Sequence, residues 1–168
     1  MIIYESQNIE SLNFQNIRVY FDESLVKILI NVVEAAHSLA QTVTSERGVY
    51  GEKGKGAVEA TINSLVQKWS YATTPLTALD LSAELLYSFL TRHKFHNGNK
   101  RTALLTAIIF LEVCGFFIKI DPRKGYLKDW EHYVIKIVED TKNLSEEEQI
   151  SEIVKWFEKQ ILLSFTVS

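Results

Sequence analysis

The stretch Arg92-His-Lys-Phe-His-Asn-Gly-Asn-Lys-Arg101, continued by Thr102-Ala-Leu-Leu-Thr-Ala-Ile-Ile-Phe-Leu-Glu-Val-Cys-Gly115, decides the fold. From Asn99 to Val113 the apolar residues Leu104, Leu105, Ile108, Ile109, Phe110, Leu111 and Val113 leave no polar face. Such a helix is buried on all sides, so this one is expected at the centre of the molecule. Gly115 stands where a helix-terminating glycine belongs. Upstream, Thr77-Ala-Leu-Asp80 reads as a capping box opening a helix that runs to about Arg92, apolar through Leu81, Leu85, Leu86, Phe89 and Leu90. The segment between these two helices is polar and charged.

Helical spacing continues outward in both directions. Leu25, Ile28, Leu29, Val32, Val33, Ala36 and Leu39 follow the i, i+3, i+4, i+7 pattern, with Asp22 at the N-cap and Glu23 in the first turn. Val58, Ile62, Leu65, Val66 and Trp69 form a second amphipathic run. Phe116 to Ile120 reads as a short extended piece ended by Asp121-Pro122, and two helices follow, near Leu127–Thr141 and Ser145–Phe165. Ser145 and Glu148 give the last one its own capping box. There is no repeat and no Pro/Ser-rich linker. The expectation is a single all-α domain over residues 1–168, of about six helices.

Composition excludes several classes. Charged residues make up 23% and apolar residues 46% of 168, which is ordinary for a folded globular chain. The formal net charge is −3, so no basic field marks a nucleic-acid binder and direct nucleic-acid binding is not expected. Cys114 is the single cysteine and cannot pair within the chain, which fits a reducing compartment. The first residues carry no basic segment followed by a long apolar run. The stretch Leu104–Leu111 is far too short to span a bilayer. A cytoplasmic location without a membrane partner is the expectation.

The loop between the two central helices carries the chemistry. Asn97-Gly-Asn-Lys-Arg101 leads into a helix whose first N–H groups have no intrahelical acceptors and whose dipole adds positive potential. Gly98 permits close approach of a ligand to the backbone. Lys100 and Arg101 place two cations at a helix start, where each is disfavoured by about 0.3–1 kcal/mol. A bound anion, phosphate being the natural one, offsets that cost; the plain alternative is two side chains extended into solvent. His93, just before the turn, has two readings. Histidine as a residue type titrates near neutrality and can take a proton from a hydroxyl beside a phosphate, or it can simply cap a helix C-terminus. Phe95 reads as an apolar anchor for the loop.

Other templates fail. Gly51 and Gly56 have Walker spacing, yet Ala57 follows where lysine is needed. His93-x-x-His96 lacks a second ligand pair for zinc. His37 and His132 lie in amphipathic patterns far from the loop and read as core or surface.

His93-x-Phe95-x-Asn97-Gly98-Asn99-Lys100-Arg101 resembles the Fic/Doc motif H-x-F-x-[DE]-[GA]-N-[GK]-R, with six clear matches over nine positions. Lys100 followed by Thr102-Ala103 looks like the Doc (death-on-curing) toxin branch. The resemblance covers roughly residues 47–116. It implies an α-helical domain with the motif between two core helices, and it assigns the glycine-rich segment Gly48, Val49, Tyr50, Gly51, Glu52, Lys53 and Gly54 to the flap that docks a target backbone.

By the same resemblance His93 is the general base on a target hydroxyl, and Gly98, Asn99, Lys100 and Arg101 bind the phosphates of ATP. Lys100 replaces the glycine of adenylylating members, a change that goes with a reversed nucleotide and γ-phosphoryl transfer. Elongation factor Tu is the known target of Doc-type toxins, whose modification of it blocks translation. Asn97 stands where the family has its acidic Mg²⁺ ligand, so the metal site is weaker. Leu104 replaces the second arginine of the adenylylating branch. Thr42-Val-Thr-Ser-Glu46 approaches the family's inhibitory motif, but Arg47 breaks it, which points to a separate antitoxin protein. The implied function is a Doc-like toxin with kinase-like activity. The alternatives are an adenylyl or nucleotidyl transferase and a catalytically weak Fic-like binding module.

Overall fold

Asp22 starts the first helix: its Oδ1 accepts the Leu25 N–H at 2.7 Å, and its carbonyl accepts from Val26 at 3.0 Å. That hydrogen bond from Leu25 holds the Asp22 carboxyl below its ordinary pKa. The computed structural model describes residues 2–4, 17–42, 50–73, 76–119, 127–140 and 142–163. Over them run β1 (Ile2–Tyr4), β2 (Ile17–Val19), α1 (Glu23–Thr42), α2 (Ala57–Ser70), β3 (Leu76–Thr77) and α3 (Ala78–Arg92). The chain continues through α4 (Asn99–Val113), β4 (Phe116–Ile118), α5 (Leu127–Asp140), α6 (Glu146–Gln160) and β5 (Ile161–Leu163).

Helix α4 is the centre, as its sequence requires. Leu104, Leu105, Ile108, Phe110 and Leu111 are fully buried, each worth about 1.5–3 kcal/mol relative to exposure. Helices α1 and α3 pack on α4, and α6 packs on the outer side of α3. The two expected capping boxes are both formed, Thr77 with Asp80 and Ser145 with Glu148. Gly115, at φ 89°, ends α4 and donates its N–H to the Glu112 carbonyl at 3.0 Å. Cys114 lies buried at this end, and burial pushes its thiol up to about 12. Helix α2 is tied to α3 by Lys68 and Trp69, whose Nζ and Nε1 donate to buried Glu84 Oε1 at 2.7 and 3.2 Å. The all-α expectation holds.

Two details of the expected element map change. The last helix does not reach Phe165. It stops at Gln160, and Ile161–Leu163 pairs antiparallel with β4, Ile118 opposite Ile161 and Phe116 opposite Leu163. Three consecutive apolar residues satisfy a strand beside β4 better than a helix with one buried face. The small sheet β1-β2-β3, with Ile2 opposite Val19 and Arg18 opposite Thr77, is also new. Strands of two or three residues carry no readable period. Asp121-Pro122, Phe165, the Thr42–Arg47 stretch beyond Thr42, and Gly48 and Val49 lie outside the described residues. No helix of the described residues is long and apolar enough to cross a membrane.

Candidate active site

The junction of α3 and α4 opens into a cavity of about 390 Å³. His93, Asn97, Gly98, Asn99, Lys100 and Arg101 all line it, joined by His96 on the loop and by Glu131 and Ile135 from α5. The structure therefore buries Phe95 in the core and brings every other motif residue to one cavity. Its position follows from burial: α3 and α4 must bury their apolar sides against each other, so the polar connection is left at their shared end.

His93 terminates α3 with φ 45° and ψ 54°, the left-handed conformation. Among the described residues it is the one non-glycine with positive φ. A side chain held there costs about 1–2 kcal/mol, and such strain concentrates at functional positions. His93 is exposed and lines the cavity. Its place at the helix end fits the capping reading as well as the cavity one.

Gly98 is the N-cap of α4, with φ 71° and no side chain to cap the helix. Its carbonyl accepts the Thr102 N–H at 2.8 Å. As at any helix start, the first N–H groups of α4 have no intrahelical acceptor, the geometry that suits an anion. A Cβ on Gly98 would meet Tyr50 Cε1 at 3.4 Å and Ala40 Cβ at 3.8 Å. These are ordinary contact distances, so it is the positive φ that favours glycine here.

Asn99 has a bracing role besides the phosphate contact that the resemblance implies. Its Oδ1 accepts the Phe95 N–H at 2.9 Å and its Nδ2 donates to the Phe95 carbonyl at 2.8 Å. The side chain thus braces the motif loop. Arg101 is half-buried, and its Nε lies 2.7 Å from Glu131 Oε1. Lys100 is exposed at the rim. Leu104, three residues on, is fully buried, so that position of α4 faces the core.

The described part of the flap, Tyr50–Gly54, pairs with the motif loop. Glu52 forms an antiparallel bridge with Phe95; Lys53 N–H donates to the Lys94 carbonyl at 2.9 Å, and His96 N–H to the Gly51 carbonyl at 3.0 Å. Alternation along an extended chain turns the N–H and C=O of Glu52 to the opposite edge. The Glu52 side chain accepts the Ala57 N–H at 2.9 Å, which caps the start of α2.

Two residues at the site escaped sequence reading. Glu131 sits in an amphipathic helix with nothing to mark it. His37, read as remote, is buried beside the motif, stacked on Phe95 with ring centroids 4.0 Å apart. Only its helical phase, in step with Val33 and Ala40, placed it on the inner face of α1. For Mg²⁺ the protein donors are few. Asn97 supplies a neutral amide oxygen, Glu131 is the carboxylate on the cavity wall, and no cluster of three acidic, His or Cys ligands occurs among the described residues. Such a set fits an ion that arrives on nucleotide phosphates rather than a protein cage.

The cavity thus joins a polar loop between two core helices, a histidine in the left-handed region and a cationic helix start without a side-chain cap. The family model described as Fic/DOC family matches residues 25–111, more than half of the chain, and the chain belongs to this family. Members generally transfer nucleotide or phosphate groups to proteins with ATP as substrate, which makes this chain a Fic-type transferase. No curated protein matches the chain significantly.

Proposed function

We propose that this protein is a Doc-like toxin that transfers the γ-phosphoryl group of ATP to a protein hydroxyl, with elongation factor Tu as the first target to test and a separate antitoxin as its inhibitor. The observation that carries the reading is that Lys100 and His93 line the same cavity, at a helix start without a side-chain cap.

The residues divide the work. The N–H groups of the first α4 turn, with Lys100 and Arg101, hold the phosphates and neutralise charge that builds on them during transfer. His93 takes the proton of the attacking hydroxyl on a ring nitrogen. The hydroxyl oxygen bonds to the γ-phosphorus, the bond to the β,γ-bridging oxygen breaks, and ADP leaves. Bound Mg²⁺ supplies further charge neutralisation on the phosphates, with Asn97 the residue nearest in role. The free edge of Glu52 is a place for a target segment to pair its backbone. Buried Leu104 supports phosphoryl over adenylyl transfer, since no second motif arginine is present to grip a nucleotide in the other orientation.

The test is incubation of the protein with α- and γ-labelled ATP in an extract containing elongation factor Tu, followed by mass measurement of the modified protein. An added phosphate with label from γ alone is expected. An added AMP assigns the protein to the adenylylating branch, and no label at all leaves a binding module.

A further inference from the structure

Of the four histidines, His37 alone is buried, at 8% exposure, and it does not line the cavity. Its Nε2 accepts the Gly51 N–H at 3.1 Å, and its Nδ1 lies 3.0 Å from Thr102 Oγ1. A backbone N–H only donates, so Nε2 must be bare. On a neutral ring the proton is then on Nδ1, donated to the Thr102 hydroxyl. The same ring stacks on Phe95 at an interplanar angle of 17°. One side chain of α1 therefore touches the glycine loop, the motif loop and the first turn of α4.

We propose that His37 is the positioning residue that latches the glycine loop Tyr50–Gly54 over the motif, and that protonation of its ring releases this loop. An imidazolium carries a hydrogen on both nitrogens, so Nε2 would then point a donor at the Gly51 donor. Gly51 is also where the His96 N–H is received, so losing this contact loosens the bridge between the loop and the motif.

The groups around the ring set the direction of the switch. From the loop come the Glu52 carboxylate, which favours the charged ring, and the Tyr50 phenol ring at 5.9 Å; from the motif loop comes Phe95, from α4 the Thr102 hydroxyl. On α1 itself Glu34 is exposed, one turn away. Burial outweighs Glu52 and holds the ring below the ordinary histidine pKa. The latch is thus closed at neutral pH and opens in acid.

The consequence for target docking rests on the transferase reading above; the latch itself does not. It is tested on the full chain by NMR without ATP or target. At about pH 7.5 the ring nitrogens should show the Nδ1–H tautomer, and the Gly51, Lys53 and His96 amides should be protected from exchange. At about pH 5 their protection, corrected for intrinsic rate, should fall about two- to tenfold. His37→Gln offers a carbonyl oxygen at the reach of Nε2 and does not titrate, so its loop should stay protected at both pH values. His37→Leu should be unprotected at both.

An Nε2–H tautomer, pH-independent protection in the parent, or full protection in His37→Leu would overturn the proposal. If His37→Leu does not fold, the parent titration and His37→Gln decide it. With a modifiable target, His37→Leu should raise the target KM and leave ATP affinity unchanged, with recovery in His37→Gln. A parent that modifies no protein defeats the transferase reading alone, and the NMR result still judges the latch.

Discussion

Arg101 Nε and Glu131 Oε1 stand 2.7 Å apart in the lining of the cavity, joining the first turn of α4 to α5, each side chain 17% exposed. The pair makes the motif arginine a cation already neutralised from within the chain. A phosphate entering the cavity competes with a carboxylate for the same guanidinium. Charge-assisted hydrogen bonds of this kind are about twice as strong as neutral ones, so the competition is substantial.

Glu131→Gln should therefore tighten ATP binding by about tenfold, since it keeps the shape and removes the competing charge. Isothermal titration with ATP measures this. Weaker binding in the variant would mean that Glu131 serves to orient Arg101 for phosphate.

His93→Ala should lower group transfer to protein by about 10²–10⁴-fold while ATP affinity stays within a few fold. His93→Gly should be as inactive, yet more stable than the parent by roughly 0.5–1 kcal/mol, because glycine accepts φ 45° without strain. Denaturant unfolding beside a transfer assay reads both. A destabilised glycine variant would show that the ring contributes packing.

Gly98→Ala should cost about 1–2 kcal/mol from its positive φ, the new Cβ making only ordinary contact with Tyr50 at 3.4 Å. ATP binding should fall with it, because the methyl group crowds the helix start where phosphate approaches. Urea melts and ATP titration check the two effects separately.

Acid should weaken the fold through His37. The folded ring has its pKa below the ordinary 6.5 that the unfolded chain keeps. Below pH 6.5 the unfolded state therefore binds the proton first, and stability falls as pH drops from there toward the folded value. Above 6.5 both forms are neutral and the effect is absent. Melting temperatures across this range should drop more in the parent than in His37→Gln; equal slopes would remove His37 as the cause.

Leu105→Ala should cost about 2–5 kcal/mol, since the residue is fully buried in the middle of α4 and its neighbours are helices that cannot collapse inward. Equilibrium unfolding in urea gives the value. A loss below 1 kcal/mol would mean that the core repacks around the gap.

By itself the sequence determined the helices and the motif. Burial of α4 was written in residues 104–111, where no polar face exists, and Thr77 with Asp80 and Ser145 with Glu148 marked helix starts through local hydrogen bonds. These signals are legible because a helix satisfies its backbone within a few residues. The motif at His93–Arg101 was legible for the same reason, being one continuous turn with fixed spacing.

Tertiary structure alone decided what meets that turn. Strand β5 pairs with β4 across more than forty residues of chain, so Ile161–Leu163 left its helix for a partner that no local pattern announces. Glu131 reaches Arg101 only because α5 packs on α4, and His37 reaches Gly51 and Thr102 only because α1 does. Even Asn99 acts through a turn geometry that aims its amide back at Phe95. The spacing of residues along one helix fixes which face they share. Which charged or titratable group stands opposite that face depends on how separate helices pack, and packing is a property of the whole core.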